Sequence, residues 1–329
     1  MSTSPSKNIA VTLFIACVIL MFLLNRLYDK DVTLEKSFPL NINKHGYISK
    51  DVSDEDVAEL RISVVKTPVD EECVKRPPKA IIFGVPRCGT TTLASFLNEH
   101  PQIAINHWDS YYFDVYSNRS VEWYINQMPC SYSHQVTMER TASYFHDLEA
   151  PKRMYSWNPN VKLIVTFKEP VERVISDFVG LQDEGLVDKS ILLEDYCMTN
   201  NGTEVNTKAW AVGLSNYQHY VKTWLEYFKL EQILIINGTN FIKDPSQEMG
   251  KVEKFLGVEN YFTPDRFIFN ETKRKYCVIR EGNPICMDER KGRPHPNLDP
   301  NVRLILQKYY KPLNEQLFEM IKRRFEWEY

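Results

Sequence analysis

The sequence predicts an α/β fold with a mostly parallel central sheet flanked by helices, and three observations carry that expectation. Strand-length apolar runs recur at 80–83 (AIIF), 161–167 (VKLIVTF) and 232–237 (QILIIN). Runs that are apolar throughout suit strands buried on both faces, as parallel strands are. Helical stretches separate them. Residues 206–230 place Trp210, Leu214, Tyr217, Tyr220, Val221, Trp224, Leu225 and Phe228 at three- and four-residue spacing, which reads as the core stripe of one long helix. Finally, helix-opening residues follow the runs: Pro170 after the second, and Asp244-Pro245 after the third, with that helix running to Leu256. Strands alternating with helices argue for a parallel sheet.

The chain has 329 residues, 43% of them hydrophobic, enough for one sizeable domain once the N-terminus is set aside. Its net charge of −3 does not announce nucleic acid as a partner, so any basic site must be local. The sequence divides into a cytoplasmic tail (1–8), a signal-anchor transmembrane helix (9–25), a polar stem and linker (26–78) ending in Arg76-Pro77-Pro78, and a lumenal domain (79–329). The apolar run 9–24 is interrupted only by Thr12, and the bulky residues 24–28 offer no small-residue cleavage site. An uncleaved anchor is therefore favoured over a removed signal peptide. Sequons at Asn118, Asn201, Asn237 and Asn270 all follow the anchor and place the bulk of the chain in the secretory lumen. Cys277 and Cys286 flank Gly282-Asn283-Pro284, which reads as a hairpin stapled by a disulfide. Cys73, Cys130 and Cys197 stay unassigned, and no Cys/His spacing resembles a zinc site.

Residues 79–97, KAIIFGVPRCGTTTLASFL, read as strand, tight loop and helix, the build of a phosphate-binding loop. The N–H groups of such a loop and of the first helical turn converge, and the helix dipole favours an anion there. Gly84 and Gly89 have the spacing of the nucleotide-triphosphatase loop, but Thr90 stands where that loop needs Lys. The basic side chain of the loop is Arg87. This pattern fits a loop that holds a terminal phosphate and aims one cation at a transferred group. Lys168 falls at the C-terminal end of the 161–167 strand, where ligands bind in open parallel sheets, and Ser176 falls on the helix that Pro170 opens. The segment 106–114 (NHWDSYYFD) combines Asp109 and His107 with aromatics, which suits either cleft lining or an aromatic core segment capped by Asp109. Farther on, Lys291-Gly292-Arg293 sets two cations about a glycine that permits close backbone approach to an anion. Residues from 299 onward read as an amphipathic helix pair ending at Trp327.

Three of these stretches together resemble one family. GVPRCGTTTL looks like the 5′-phosphosulfate loop of sulfotransferases, and KLIVTFKEPVERVISDF looks like their 3′-phosphate motif. KYCVIREGNPICMDERKGRPHP is similar to the C-terminal hairpin and loop of the heparan sulfate glucosamine 3-O-sulfotransferases and related N-sulfotransferase domains. WYINQMP, MERTASYF and MYSWNP are smaller echoes, and the resemblance covers about 79–327. It implies the donor 3′-phosphoadenosine 5′-phosphosulfate (PAPS), with transfer of its sulfuryl group to a glycosaminoglycan hydroxyl, no metal requirement, and a type II protein of the Golgi membrane. Arg87, Gly89, Thr90 and Thr91 would hold the 5′-phosphosulfate; Lys168 and Ser176 the 3′-phosphate; Tyr276, Lys291, Gly292 and Arg293 would close over the nucleotide. Asp109 falls where the family has a glutamate acting as general base, and Arg140 where it has a lysine near the sulfuryl group. The chain departs from the family pattern at Arg87 (Lys), Cys88 (Gly), Pro86 (a basic residue) and Tyr111 (His). His107 is an alternative base. Heparan sulfate is the first expected acceptor. Protein tyrosine, another glycan or a small alcohol are the alternatives, as is a degenerate domain that binds without turnover.

Overall fold

A computed structural model describes residues 71–106, 108–286 and 295–327. The signal-anchor expectation falls on residues outside this set, as do Lys291, Gly292, Arg293 and His107. Among the described residues no helix is long and apolar enough to cross a membrane.

A short strand β1 (Val74–Lys75) precedes β2 (Ala80–Gly84), whose five residues are all buried. The phosphate loop leads from β2 into α1 (Thr90–Leu97), and β3 (Ile103–Ile105) follows. Next come α2 (Val121–Gln127), capped by the Ser120 side chain, β4 (Cys130–Ser131) and β5 (Val136–Arg140). After α3 (Ala150–Trp157) the apolar run at 161–167 forms β6 (Lys162–Phe167), and Pro170 opens α4 (Pro170–Asp183) as the sequence indicates. A small excursion, α5 (Leu193–Cys197) with β7 (Met198–Thr199) and β8 (Glu204–Val205), leads to α6 (Trp210–Leu214) and α7 (Tyr217–Tyr227). β9 (Ile233–Asn237), α8 (Gly238–Lys243) and α9 (Pro245–Leu256) complete the alternation. The hairpin region holds β10 (Phe267–Asn270), β11 (Lys275–Arg280) and β12 (Asn283–Ile285), before the closing helix α10 (Pro300–Ile321).

The central sheet has five strands in the order β3-β5-β2-β6-β9, every neighbouring pair parallel. Apolar side chains cover both of its faces. On one, Phe83, Phe145, Phe167, Tyr217 and Trp224 pack with Leu317, Phe325 and Trp327. On the other, Ile82, Phe96, Phe241, Met249, Val252 and Phe262 pack together. A third cluster joins α4, α5, α6 and α10 through Val174, Phe178, Val212, Leu306 and Tyr310.

Several expectations are corrected. The single helix expected over 206–230 is two, because the chain turns at Ser215 and Asn216. Trp210 is consequently not core but 51% exposed. The expected C-terminal helix pair is one helix with Pro312 inside it; residues after Lys322 run on without helix and bring Phe325 and Trp327 back onto the core. Residues 71–78, read as the end of the linker, belong to the folded body, where β1 pairs antiparallel with β4 and Cys73 bonds to Cys130. Cys277 and Cys286 form the expected disulfide across the hairpin, while Cys88 and Cys197 are free and buried. Asn237 is 9% exposed, and its side-chain oxygen accepts from the N–H groups of Thr239 and Asn240 to cap α8. Of the other sequon asparagines, Asn118 and Asn201 are exposed.

The Cys73–Cys130 bond closes a loop of 57 residues. Constraining an unfolded loop of that length is worth about 4 kcal/mol. Replacing both cysteines by alanine is expected to lower the denaturant midpoint and steepen the slope, because the freed unfolded chain exposes more surface, measured by chemical unfolding of the non-reduced protein. An unchanged midpoint would show that the cross-link contributes nothing.

Candidate active site

One cleft of about 1200 Å³ gathers the phosphate loop, Asp109, Tyr111, Arg140, Lys168, Ser176, Trp210, Tyr276 and His295. It opens at the C-terminal ends of β2, β5 and β6. The loop after β2 turns into α1 at Gly89, whose φ of 96° is the left-handed region open to glycine. No side chain caps α1, so the N–H groups of its first turn, at Thr90, Thr91 and Thr92, remain available to an anion in the cleft. Cys88, also in the cleft lining, is buried with its Sγ 3.6 Å from the Tyr217 hydroxyl, and burial pushes the thiol up, out of the reactive range.

Arg87 leans across to α4. Its Nε donates to Asp177 Oδ1 (3.3 Å) and its Nη2 to Glu184 Oε1 (2.6 Å). Asp177 in turn receives the guanidinium of Arg173 at Oδ2 (2.9 Å). Arg173 is wholly buried and donates also to Pro86 O (3.1 Å), Ala211 O (3.1 Å) and Ser215 Oγ (3.0 Å). It thus joins the phosphate loop, α4 and α6.

Lys168 follows β6 as expected and lines the cleft with Ser176. Burial lowers its pKa below the ordinary lysine range, while Cys88, Glu172 and Glu169 act in the opposite direction. Tyr276 stands on β11 with its ring against Phe269. The cations Arg274 and Lys275, at the turn before it, also line the cleft. Lys291, Gly292 and Arg293 lie outside the described residues, but His295, just after them, lines the same cleft, 4.0 Å from Glu172.

Asp109, placed after β3, and Arg140, at the end of β5, meet in the cleft. Arg140 Nη2 donates to Asp109 Oδ2 at 2.9 Å, and the Ala142 N–H donates to Oδ1 at 3.2 Å. A carboxylate oxygen has a second lone pair, so this clamp orients Asp109 without exhausting it. Beneath the pair lies Glu139, fully buried. Its carboxylate accepts from Ser110 Oγ (2.8 Å), Tyr124 OH (2.9 Å), Tyr144 OH (3.2 Å) and Thr141 Oγ1. Burial pushes its carboxyl up from the ordinary range, and these hydroxyls pull it back. Ser110 and Thr141 are the chain neighbours of Asp109 and Arg140, so the cage fixes the backbone beside both members of this pair.

Every described residue in the sequence-derived site therefore lines one cleft. Reasoning from sequence missed Arg173, Asp177, Glu139, Glu184 and the cleft-facing Trp210. The Arg173–Asp177 pair had a signal, opposite charges four residues apart on a helix whose other face is apolar. Glu139 had one too, an acid inside an otherwise buried strand.

The comparisons agree with this arrangement. Residues 77–320 match the family described as "Sulfotransferase domain". The fold is shared with the crystal structure of a sulfotransferase from Alicyclobacillus acidocaldarius, with a TM-score of 0.59 and 20% identity over 76% of this chain and 98% of that one. The fold and the family match are those of a sulfotransferase. Heparan sulfate glucosamine 3-O-sulfotransferase 5 of Mus musculus is 36% identical, over 78% of this chain and 75% of its own. Heparan sulfate glucosamine 3-O-sulfotransferase 3A1 of the same organism is 33% identical, over 83% and 70%. The chain belongs to the heparan sulfate glucosamine 3-O-sulfotransferase family. Sulfotransferases of this family use PAPS. The residues present fit that donor: an uncapped helix N-terminus faces one part of the cleft, and a half-buried lysine faces another.

The lowered pKa of Lys168 fixes the sign of a pH effect. The protonated lysine is the form that attracts a phosphate, so affinity for 3′-phosphoadenosine 5′-phosphate should fall as pH rises toward and through that lowered pKa, before an ordinary lysine would deprotonate. Calorimetry should show proton uptake on binding at alkaline pH. Lys168→Arg should abolish the uptake. Affinity that is flat with pH up to the ordinary lysine range would contradict the assignment.

Proposed function

We propose that the protein transfers a sulfuryl group from PAPS to the 3-hydroxyl of glucosamine in heparan sulfate. The observation that carries this reading is the single cleft in which the uncapped loop with Arg87, the Lys168–Ser176 pair and the Asp109–Arg140 pair face one another. Bound in the cleft, PAPS supplies an activated sulfuryl group. Lys168 and Ser176 take the 3′-phosphate, and the N–H groups of Thr90 and Thr91 take the phosphosulfate end. Arg87 and Arg140 supply fixed cations where negative charge grows during transfer. Asp109, oriented by Arg140 and the Ala142 N–H, accepts the proton of the acceptor hydroxyl. The lining carries Arg87, Arg140, Lys168, Arg274 and Lys275 against Asp109, Asp177 and Glu184, a cation excess suited to a polyanionic donor and an anionic acceptor. Trp210, exposed in the cleft wall with its ring edge-to-face on His146, offers an apolar platform for a sugar ring.

The same reading places residues 9–25 in the Golgi membrane as a signal anchor with the domain lumenal. The apolar run supports it, as do the exposed sequons at Asn118 and Asn201 and the two disulfides, which need an oxidising compartment.

With labelled PAPS and heparan sulfate, chondroitin sulfate and a tyrosine peptide offered in parallel, label should enter heparan sulfate. Asp109→Asn should reduce that transfer by about 10²- to 10⁴-fold and leave nucleotide affinity intact. Trp210→Ala should raise KM for the glycan with little change in kcat. Label on the peptide or on chondroitin sulfate alone would overturn the acceptor assignment, and full activity of Asp109→Asn would overturn the base.

A further inference from the structure

α4 contains a glycine that the helix itself does not call for. Gly180 is buried in the helix interior, and its backbone is not in the left-handed region that requires glycine. At such a position alanine is the better helix former. Space explains the choice. A Cβ built on Gly180 would stand 2.2 Å from Nη2, 2.3 Å from Cζ and 2.8 Å from Nε of Arg87. All three nearest atoms belong to that one guanidinium. The ion pairs to Asp177 and Glu184 draw the group into this seat from two positions on the same side of α4, three residues before and four after Gly180.

We propose that Gly180 is a positioning residue for sulfuryl transfer: its missing side chain is the seat that fixes the Arg87 guanidinium beside the phosphate loop. This rests on the reading that Arg87 faces the transferred group. A methyl at 180 leaves the helix intact and displaces the arginine, which is the flexible partner. Misplacement of a catalytic cation by about 1 Å is enough to cost about 10²-fold in rate. Lysine at 87 has no branched terminus over Gly180, so the seat matters only when residue 87 is arginine.

The test is a double-mutant cycle on the full-length protein with Gly180→Ala, Arg87→Lys and both together. Gly180→Ala should lower kcat with heparan sulfate by roughly 10- to 100-fold. KM for the glycan should stay unchanged and the thermal midpoint should be no lower than that of the unaltered protein. In the Arg87→Lys background the same change should cost little. A Gly180→Ala protein with full activity overturns the proposal. So does an equal loss in both backgrounds, or a lowered midpoint in both, because either marks a plain packing role. PAPS affinity of the same four proteins, read by calorimetry, separates the two levels of inference. If the unaltered protein does not sulfate heparan sulfate, the acceptor assignment fails. The seat then stands if the two changes are non-additive in PAPS affinity and falls if they add.

Discussion

The buried guanidinium of Arg173 is the constraint on which the cleft depends. A charge taken wholly out of water must find partners for its donors or cost several kcal/mol. Arg173 finds them on three separate pieces of chain: the phosphate loop at Pro86, its own helix at Asp177, and α6 at Ala211 and Ser215. Apolar packing brings these segments together without fixing their angles, because burial is non-directional. Charge-assisted hydrogen bonds are directional, so one side chain sets the loop against the helix that carries Ser176. The effect passes one step farther. Asp177, held by Arg173 through one oxygen, presents the other to Arg87. The cation at the loop is therefore aimed from the core outward.

Glu139 plays the matching part under the other half of the cleft. Two buried ionisable side chains, Arg173 and Glu139, each enclosed by its own set of partners, support two parts of the cleft separately. One holds the phosphate loop; the other holds the backbone beside the Asp109–Arg140 pair. Neither of these side chains lines the cleft, so both find their partners within the protein.

Much of this was legible in the sequence. The strand runs at 80–83, 161–167 and 232–237 became β2, β6 and β9, because a strand buried on both faces must be apolar along its whole length. The sequence reading named Asp109 and Arg140 separately and did not pair them, since nothing in their separation of 31 residues says that β3 and β5 lie side by side. The errors have physical causes too. Residues 206–230 keep helical periodicity across a turn, and hydrophobic spacing cannot see a break that preserves phase. Trp210 looked like core because aromatic periodicity does not distinguish a residue facing the interior from one facing a cleft. The hubs Arg173 and Glu139 were invisible as hubs, because their partners come from distant segments that only the fold assembles.

The Cys73–Cys130 bond has a mechanical meaning as well as a thermodynamic one. Cys73 lies near the first of the described residues, so any pull transmitted along the preceding chain enters the domain there. It passes through a covalent bond into β4, whose Ser131 hydroxyl is hydrogen-bonded to Thr137 of β5. β1 and β4 are joined by only two residue pairs, a ladder that would open readily under load. With the sulfur bridge in place the strain is taken up where the chain enters, ahead of β2 and the phosphate loop that follows it. The bridge acts as a strain relief, like a clamp on a cable where it enters a housing.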